Sequence, residues 1–144
     1  MLYLLDTDHL SYWQRSTPGG ILIQKRLSQI PPDDYGTTII SYNEQTVGWL
    51  GKVNKEQSTS LQVETYADLH DSLRFFTHIA VWEYTLKAAT IFEAFRKNRI
   101  KGGTNDLRIA AIALANNATV VTSNRRDFER VPGLRVEDWT VTLE

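Results

Sequence analysis

The chain has 144 residues and no cysteine. That absence excludes a disulfide scaffold, a zinc finger, an iron–sulfur site and a cysteine nucleophile. Its three histidines, His9, His70 and His78, are too few and too scattered for a His-rich metal centre. Long apolar runs are missing too. The longest, Ile109 to Ala115, has seven residues, against the roughly 20 that a membrane span needs. The opening run Leu2–Leu5 has no basic segment before it and stops at Asp6, so a secretory leader is not expected and the chain reads as cytoplasmic. Net charge is nearly absent, at -1. That balance argues against a uniformly basic nucleic-acid coat and against an acidic disordered tail.

What is present suits one α/β domain over residues 1–144, within the usual size of roughly 100–200 residues. Leu2–Leu5 is a short apolar run that suits a strand buried on both faces. Residues 8–16 and 20–30 read as helices separated by Pro18-Gly19-Gly20. Pro31-Pro32-Asp33-Asp34 breaks the chain. Residues 36–40 read as a second strand, with a helix from about 42 to 55. Tyr66, Leu69, Leu73 and Phe76 form one helical stripe, and Tyr84, Ala88, Ile91, Phe92 and Phe95 another. A strand is expected at 79–82 between them, though its two aromatics and Glu83 blur its edge. Leu107, Ala110, Ala111, Leu114 and Ala115 follow the helical template without a gap, closed by Asn116-Asn117. Residues 119–122 and 134–136 complete the strands. Strands alternating with helices imply a three-layer α/β/α sandwich with a central, mostly parallel sheet. Ligands of such sheets bind outside the carboxyl ends of the strands.

Four acids fall on that side. Asp6 follows the first strand, Glu44 the second, and Asp127 the fourth, while Asp106 opens the Leu107–Ala115 helix. Each has a structural explanation when taken alone. Asp6 and Asp8 are good N-caps. Ser41-x-x-Glu44 is formally a capping box. Asp106 complements a helix dipole, and Asp127 can cap the turn after Asn124. Together they say more. Carboxylates gathered on one sheet edge repel one another unless a cation lies among them. An all-oxygen cluster suits a hard cation, Mg2+ or Mn2+, and the chemistry that matches is phosphodiester hydrolysis.

These residues carry a resemblance. Leu4-Leu5-Asp6-Thr7-Asp8, Ser41-x-x-Glu44, Gly103-Thr104-Asn105-Asp106-Leu107-Arg108 and Val121-Thr122-Ser123-Asn124-Arg125-Arg126-Asp127 stand in the order and spacing of PIN-domain proteins. They resemble in particular the VapC-type toxin ribonucleases of toxin–antitoxin pairs. The resemblance runs from residue 2 to about residue 139. It implies a Mg2+- or Mn2+-dependent endoribonuclease, with a cognate antitoxin and a homodimeric state. Asp6 and Asp106 match the metal ligands. Glu44 matches the second acid, which helps hold metal or orient water. Asp127 matches the fourth acid, a role that Asn124 can share. Ser41 and Thr122 match residues that orient the acids.

An RNA substrate requires cations. Residues 1–72 hold five Lys/Arg against nine Asp/Glu, and residues 73–144 eleven against eight. The basic half offers Arg96, Lys97, Arg99 and Lys101 before the Asp106 helix, and Arg125, Arg126 and Arg130 beside Asp127. All are candidates for holding an RNA backbone; the alternative is a solvated helix end. Tyr12 and Trp13 suggest a partner surface, and Trp49 with Leu50 either that or core. Two other readings remain at this level. Asp6-x-Asp8 after a strand also opens haloacid-dehalogenase-type phosphatases, with Asp6 as nucleophile. A non-catalytic PIN-like module that binds RNA or protein is the other.

Overall fold

The computed structural model describes residues 1–56 and 58–141. Its strands are β1 (Leu2–Leu5), β2 (Tyr35–Thr38), β3 (Val81–Trp82), β4 (Ala118–Val121) and β5 (Arg135–Glu137). Its helices are α1 (Thr7–Gln14), α2 (Pro18–Leu27), α3 (Ile39–Lys55), α4 (Thr59–Thr77), α5 (Leu86–Lys97), α6 (Thr104–Ala115) and α7 (Arg125–Phe128), with a 3-10 turn at Pro32–Asp34. The strand order is β3-β2-β1-β4-β5, and every pairing is parallel. The expected sandwich is therefore present, with a sheet that is wholly parallel among the described residues.

Alternation along the central strands builds the layers. Leu4 and Val120 join Ile40, Phe92, Phe95, Leu107, Ile109 and Ile112 on one face of the sheet. Leu5 and Val121 join Leu10, Ile23, Leu27, Phe76 and Trp139 on the other. Both faces of β1 and β4 are covered, which is why their sequences are apolar runs rather than alternating ones. Each fully buried Leu or Ile among these adds roughly 1.5–3 kcal/mol over an exposed one.

Several boundaries differ from the sequence expectation. Pro18 does not separate two helices; it opens α2, with Thr17 as N-cap accepting from Gly20 N–H at 3.1 Å. The second strand ends at Thr38, and Ile39-Ile40 already belong to α3. β-branched residues suited both assignments, and the Thr38 cap decides between them. The third strand is only two residues long. It lies at the sheet edge, where Trp82 crosses Gly36 so closely that a Cβ there would stand 2.5 Å from the indole ring. Glu83 is exposed beyond it. In α4, the Tyr66–Leu69–Leu73–Phe76 stripe does not face the core as one unit. Phe76 is buried, whereas Tyr66 and Leu73 are 57% and 55% exposed. Trp13 is not free surface: its ring meets Phe75 and Tyr35 edge-on. Among the described residues no helix is long and apolar enough to cross a membrane.

Candidate active site

The strand order reverses beside β1: β2 lies on one side and β4 on the other. A crevice opens at the carboxyl ends of strands at such a switch point. Asp6 and Thr122 are the first residues past β1 and β4. The Asp6 amide continues the ladder to Val121 O at 2.9 Å, so its backbone is fixed by the sheet. Its side chain caps α1, with Oδ1 accepting from Thr7 N–H at 2.7 Å. Oδ2 accepts from the Thr122 hydroxyl at 2.9 Å. Asp6 is thus an N-cap as well as a site residue; the two readings coexist.

The capping reading of Glu44 does not hold. The N-cap of α3 is Thr38, whose hydroxyl accepts from Ser41 N–H at 3.2 Å. Ser41 therefore sits a turn inside the helix, and Glu44 lies beyond the reach of a capping box. The Glu44 carboxylate instead accepts from the Thr7 hydroxyl at 2.9 Å, which draws it toward the Asp6 loop. Ser41 is fully buried, and among the described residues its Oγ has no hydrogen-bond partner. An orphaned buried hydroxyl costs roughly 1–3 kcal/mol, a cost met where structure serves something other than stability.

Asp106 lies in the first turn of α6, where the helix dipole favours it. Asp127 lies in α7 and accepts from Asn124 Nδ2 at 3.0 Å, with Arg130 at 3.9 Å. Asn124 N–H in turn donates to the Thr122 hydroxyl at 3.0 Å. Asn124 and Asp127 are therefore bonded to each other.

The four acids act on one another. Burial pushes the Asp6 carboxyl up to about 7, with Asp8 and then Asp106 adding repulsion against the bonds from Thr7 and Thr122. Asp106 is also raised, first by burial and then by Glu44, Asp127 and Asp8. Elements far apart in sequence thus put negative charge into one place. Among the described residues no three His, Cys, Asp or Glu close into a ready metal cage. The carboxylate donors are nevertheless all oxygen and mutually repelling. That fits a hard cation held by one or two carboxylates and completed by water and substrate oxygens better than a closed protein cage.

Three residues were not marked as site residues by the sequence. Thr7 holds Glu44. Asp8 accepts from Ser123 N–H at 3.1 Å and raises both Asp6 and Asp106. His9, fully buried, stands 2.9 Å from Asp8. The Asp6-x-Asp8 spacing signalled Asp8; nothing in the pattern signalled His9. Both carboxylates of the Asp6-x-Asp8 pair accept internal hydrogen bonds.

The expected cations flank the site in sequence. Arg96, Lys97, Arg99 and Lys101 are exposed before α6, as is Arg126 in α7, and among the described residues none makes an ion pair. Arg125 is tied to Glu129 at 3.0 Å. A cleft of about 480 Å³ between α1, α3 and α4, lined by Gln14, Gln45, Trp49, Lys52 and Phe75, contains none of the four acids. Leu50 is exposed rather than core.

The PIN-domain family model matches residues 3–134. The chain belongs to the PIN-domain family. It is 34% identical to Ribonuclease VapC1 of Haemophilus influenzae, over 97% of this chain and 99% of that protein. Its fold matches a chain of VapBC-1 from nontypeable Haemophilus influenzae with a TM-score of 0.74 at 26% identity, covering 98% of this chain and 100% of that one. A DNA-bound VapBC from Salmonella typhimurium matches with a TM-score of 0.71, also at 26% identity, over 96% and 99%. Asp6 of this PIN domain lies at the switch point of its sheet.

Proposed function

We propose that this chain is the toxin of a type II toxin–antitoxin pair, an endoribonuclease that hydrolyses RNA phosphodiester bonds with the help of Mg2+ or Mn2+. Family membership and near-full-length similarity to Ribonuclease VapC1 support the activity. Similarity to chains of VapBC structures supports the antitoxin as partner. The observation that carries the reading is the mutual influence of the acids. Asp6, Asp106, Glu44 and Asp127 come from four separate segments, and burial with like charge raises Asp6 and Asp106.

In this reading Asp6 and Asp106 hold the cation. A cation held there would neutralise the cluster and polarise the scissile phosphate. The Thr122 hydroxyl donates to Asp6 and favours its carboxylate form. Glu44 would accept a proton from the attacking water at Oε1 or Oε2, a role that its bond from the Thr7 hydroxyl supports. Asp127, steadied by Asn124, supplies the fourth acid. Thr122 orients Asp6 from the end of β4; Ser41, whose hydroxyl bonds none of the acids, lies one turn before Glu44 in α3. Arg96, Arg99, Lys101 and Arg126 carry the RNA backbone past the acids; Arg125 does so less, since Glu129 already engages it. The enzyme acts as a homodimer.

The test is cleavage of structured RNA by the purified protein with Mg2+ or Mn2+, with EDTA as control. Cleavage that needs the cation and disappears in Asp6→Asn and Asp106→Asn is the expected result. Protein that binds RNA but never cuts it with either cation overturns the reading in favour of a non-catalytic module.

A further inference from the structure

His9 belongs to no acid motif, yet its ring is fully buried, and both of its nitrogens are occupied. Nε2 stands 3.1 Å from the backbone nitrogen of Trp139. A backbone N–H can only donate, so Nε2 is the acceptor and carries no proton. The proton of the neutral ring is therefore on Nδ1, which donates to Asp8 Oδ1 at 2.9 Å. Asp138 Oδ1, 3.6 Å from Nε2, does not compete, because it accepts from Thr140 N–H at 2.8 Å and from the Thr140 hydroxyl.

The chain of contacts continues toward the acids. Asp8 Oδ2 accepts from Ser123 N–H at 3.1 Å and lies 3.3 Å from the Thr122 hydroxyl. That hydroxyl donates to Asp6 Oδ2. The backbone after β5 is thereby linked through one imidazole to the loop after β4 and to Asp6. The two links at His9 have a fixed direction, since its tautomer is set by the Trp139 amide, and the Ser123 N–H can only donate to Asp8.

We propose that His9 is a positioning residue of this site: its Nδ1–H holds the Asp8 carboxylate against the Thr122–Ser123 loop, and so holds Thr122 on Asp6. The kinetic part of this proposal rests on the ribonuclease reading, and the cation affinity on its assignment of Asp6 and Asp106 as cation ligands; the tautomer rests on neither. A histidine that merely filled the core would matter only through stability.

Two substitutions separate these roles. His9→Asn puts its amide where Nδ1 stands, keeping a donor for Asp8 and leaving Trp139 N–H without its acceptor. His9→Gln puts its carbonyl where Nε2 stands, keeping Trp139 and leaving Asp8 without its donor. Both variants lose stability. His9→Gln should lower kcat at least about tenfold with KM nearly unchanged, as expected when positioning of reacting groups fails. It should also weaken Mn2+ binding in a calorimetric titration, and His9→Asn should retain both within about threefold. Asp8→Asn, at a partly exposed position, supplies a variant with less risk to folding. Its amide meets a donor at either His9 or Ser123, and it should behave as His9→Gln does.

In the wild-type protein, long-range ¹H–¹⁵N correlation should find His9 neutral and protonated on Nδ1. A proton on Nε2 overturns the proposal. So do equal losses of Mn2+ affinity in His9→Asn and His9→Gln, or wild-type affinity in Asp8→Asn. A wild-type protein that binds Mn2+ but cuts no RNA overturns the ribonuclease activity alone, and the tautomer and Mn2+ measurements still decide the role of His9; one that binds no Mn2+ overturns the cation site and this proposal with it.

Discussion

Thr122 donates its hydroxyl to Asp6 Oδ2 at 2.9 Å, joining the ends of β1 and β4 where the strand order reverses. Thr122 Oγ1 in turn accepts from Asn124 N–H at 3.0 Å. Thr122→Val keeps the shape and removes both bonds. The loss should be about 1–3 kcal/mol, since buried groups are left unpaired, and urea denaturation measures it. The Thr122 bond favours the charged form of Asp6. Its removal should therefore raise that carboxyl further and move the rising limb of the cleavage–pH profile to higher pH.

The Asp6 carboxyl also sets how the cation-free protein responds to pH. It is raised from 3.8 to about 7 by burial, by Asp8 and by Asp106. A proton held more tightly in the folded state contributes stability that is fully present below the unfolded value. That stability is lost as pH rises through the folded one. Between pH 4 and pH 7 the cation-free protein should therefore lose up to ~4 kcal/mol from this group. Asp6→Asn removes the titration. Its stability advantage over wild type should be small near pH 4 and grow toward pH 8, as read by denaturation in EDTA. A constant deficit across that range would mean that capping of α1 outweighs the repulsion.

Much of this arrangement was legible in the sequence where one physical signal dominated. β1 and the Leu107–Ala115 helix carry uninterrupted apolar patterns and lie where those patterns put them. Signals conflicted elsewhere. Ile39 and Ile40 suit a strand, but the Thr38 hydroxyl caps a helix that begins at Ile39. Ser41-x-x-Glu44 imitates a capping box that lies too far into α3 to act as one. Tyr66 and Leu73 share a stripe with Phe76 yet stay exposed, because periodicity says which residues share a face and not whether anything covers it. The acids could be placed on one side because parallel crossovers leave little freedom. His9 could not, since its partner amide lies 130 residues away.

Gly36 is where a backbone contact replaces a side chain. A Cβ there would stand 2.4 Å from Ala80 O and 2.5 Å from the Trp82 ring. Gly36→Ala should force β3 away from β2 and cost about 1–3 kcal/mol, the range for overpacking. Gly48, in the middle of α3, has nothing within 4 Å of such a Cβ. Gly48→Ala should stabilise by about 0.4–1 kcal/mol through helix propensity. Denaturation midpoints of the two variants should move in opposite directions.

Salt dependence separates cations that hold RNA from those that hold the fold. Arg99 and Lys101 are exposed and make no ion pair among the described residues, whereas Arg125 is bound to Glu129 at 3.0 Å. Each phosphate contact to a single strand contributes about 0.7 to the slope of log affinity against log salt. Removing both free cations in Arg99→Gln/Lys101→Gln should therefore flatten that slope by up to roughly 1.4. It should raise KM severalfold and leave kcat nearly unchanged, because these groups contact ground state and transition state alike. Arg125→Gln should change the slope by less, since its charge is already partly neutralised by Glu129. Equal slopes in wild type and the double variant would place the RNA on another surface.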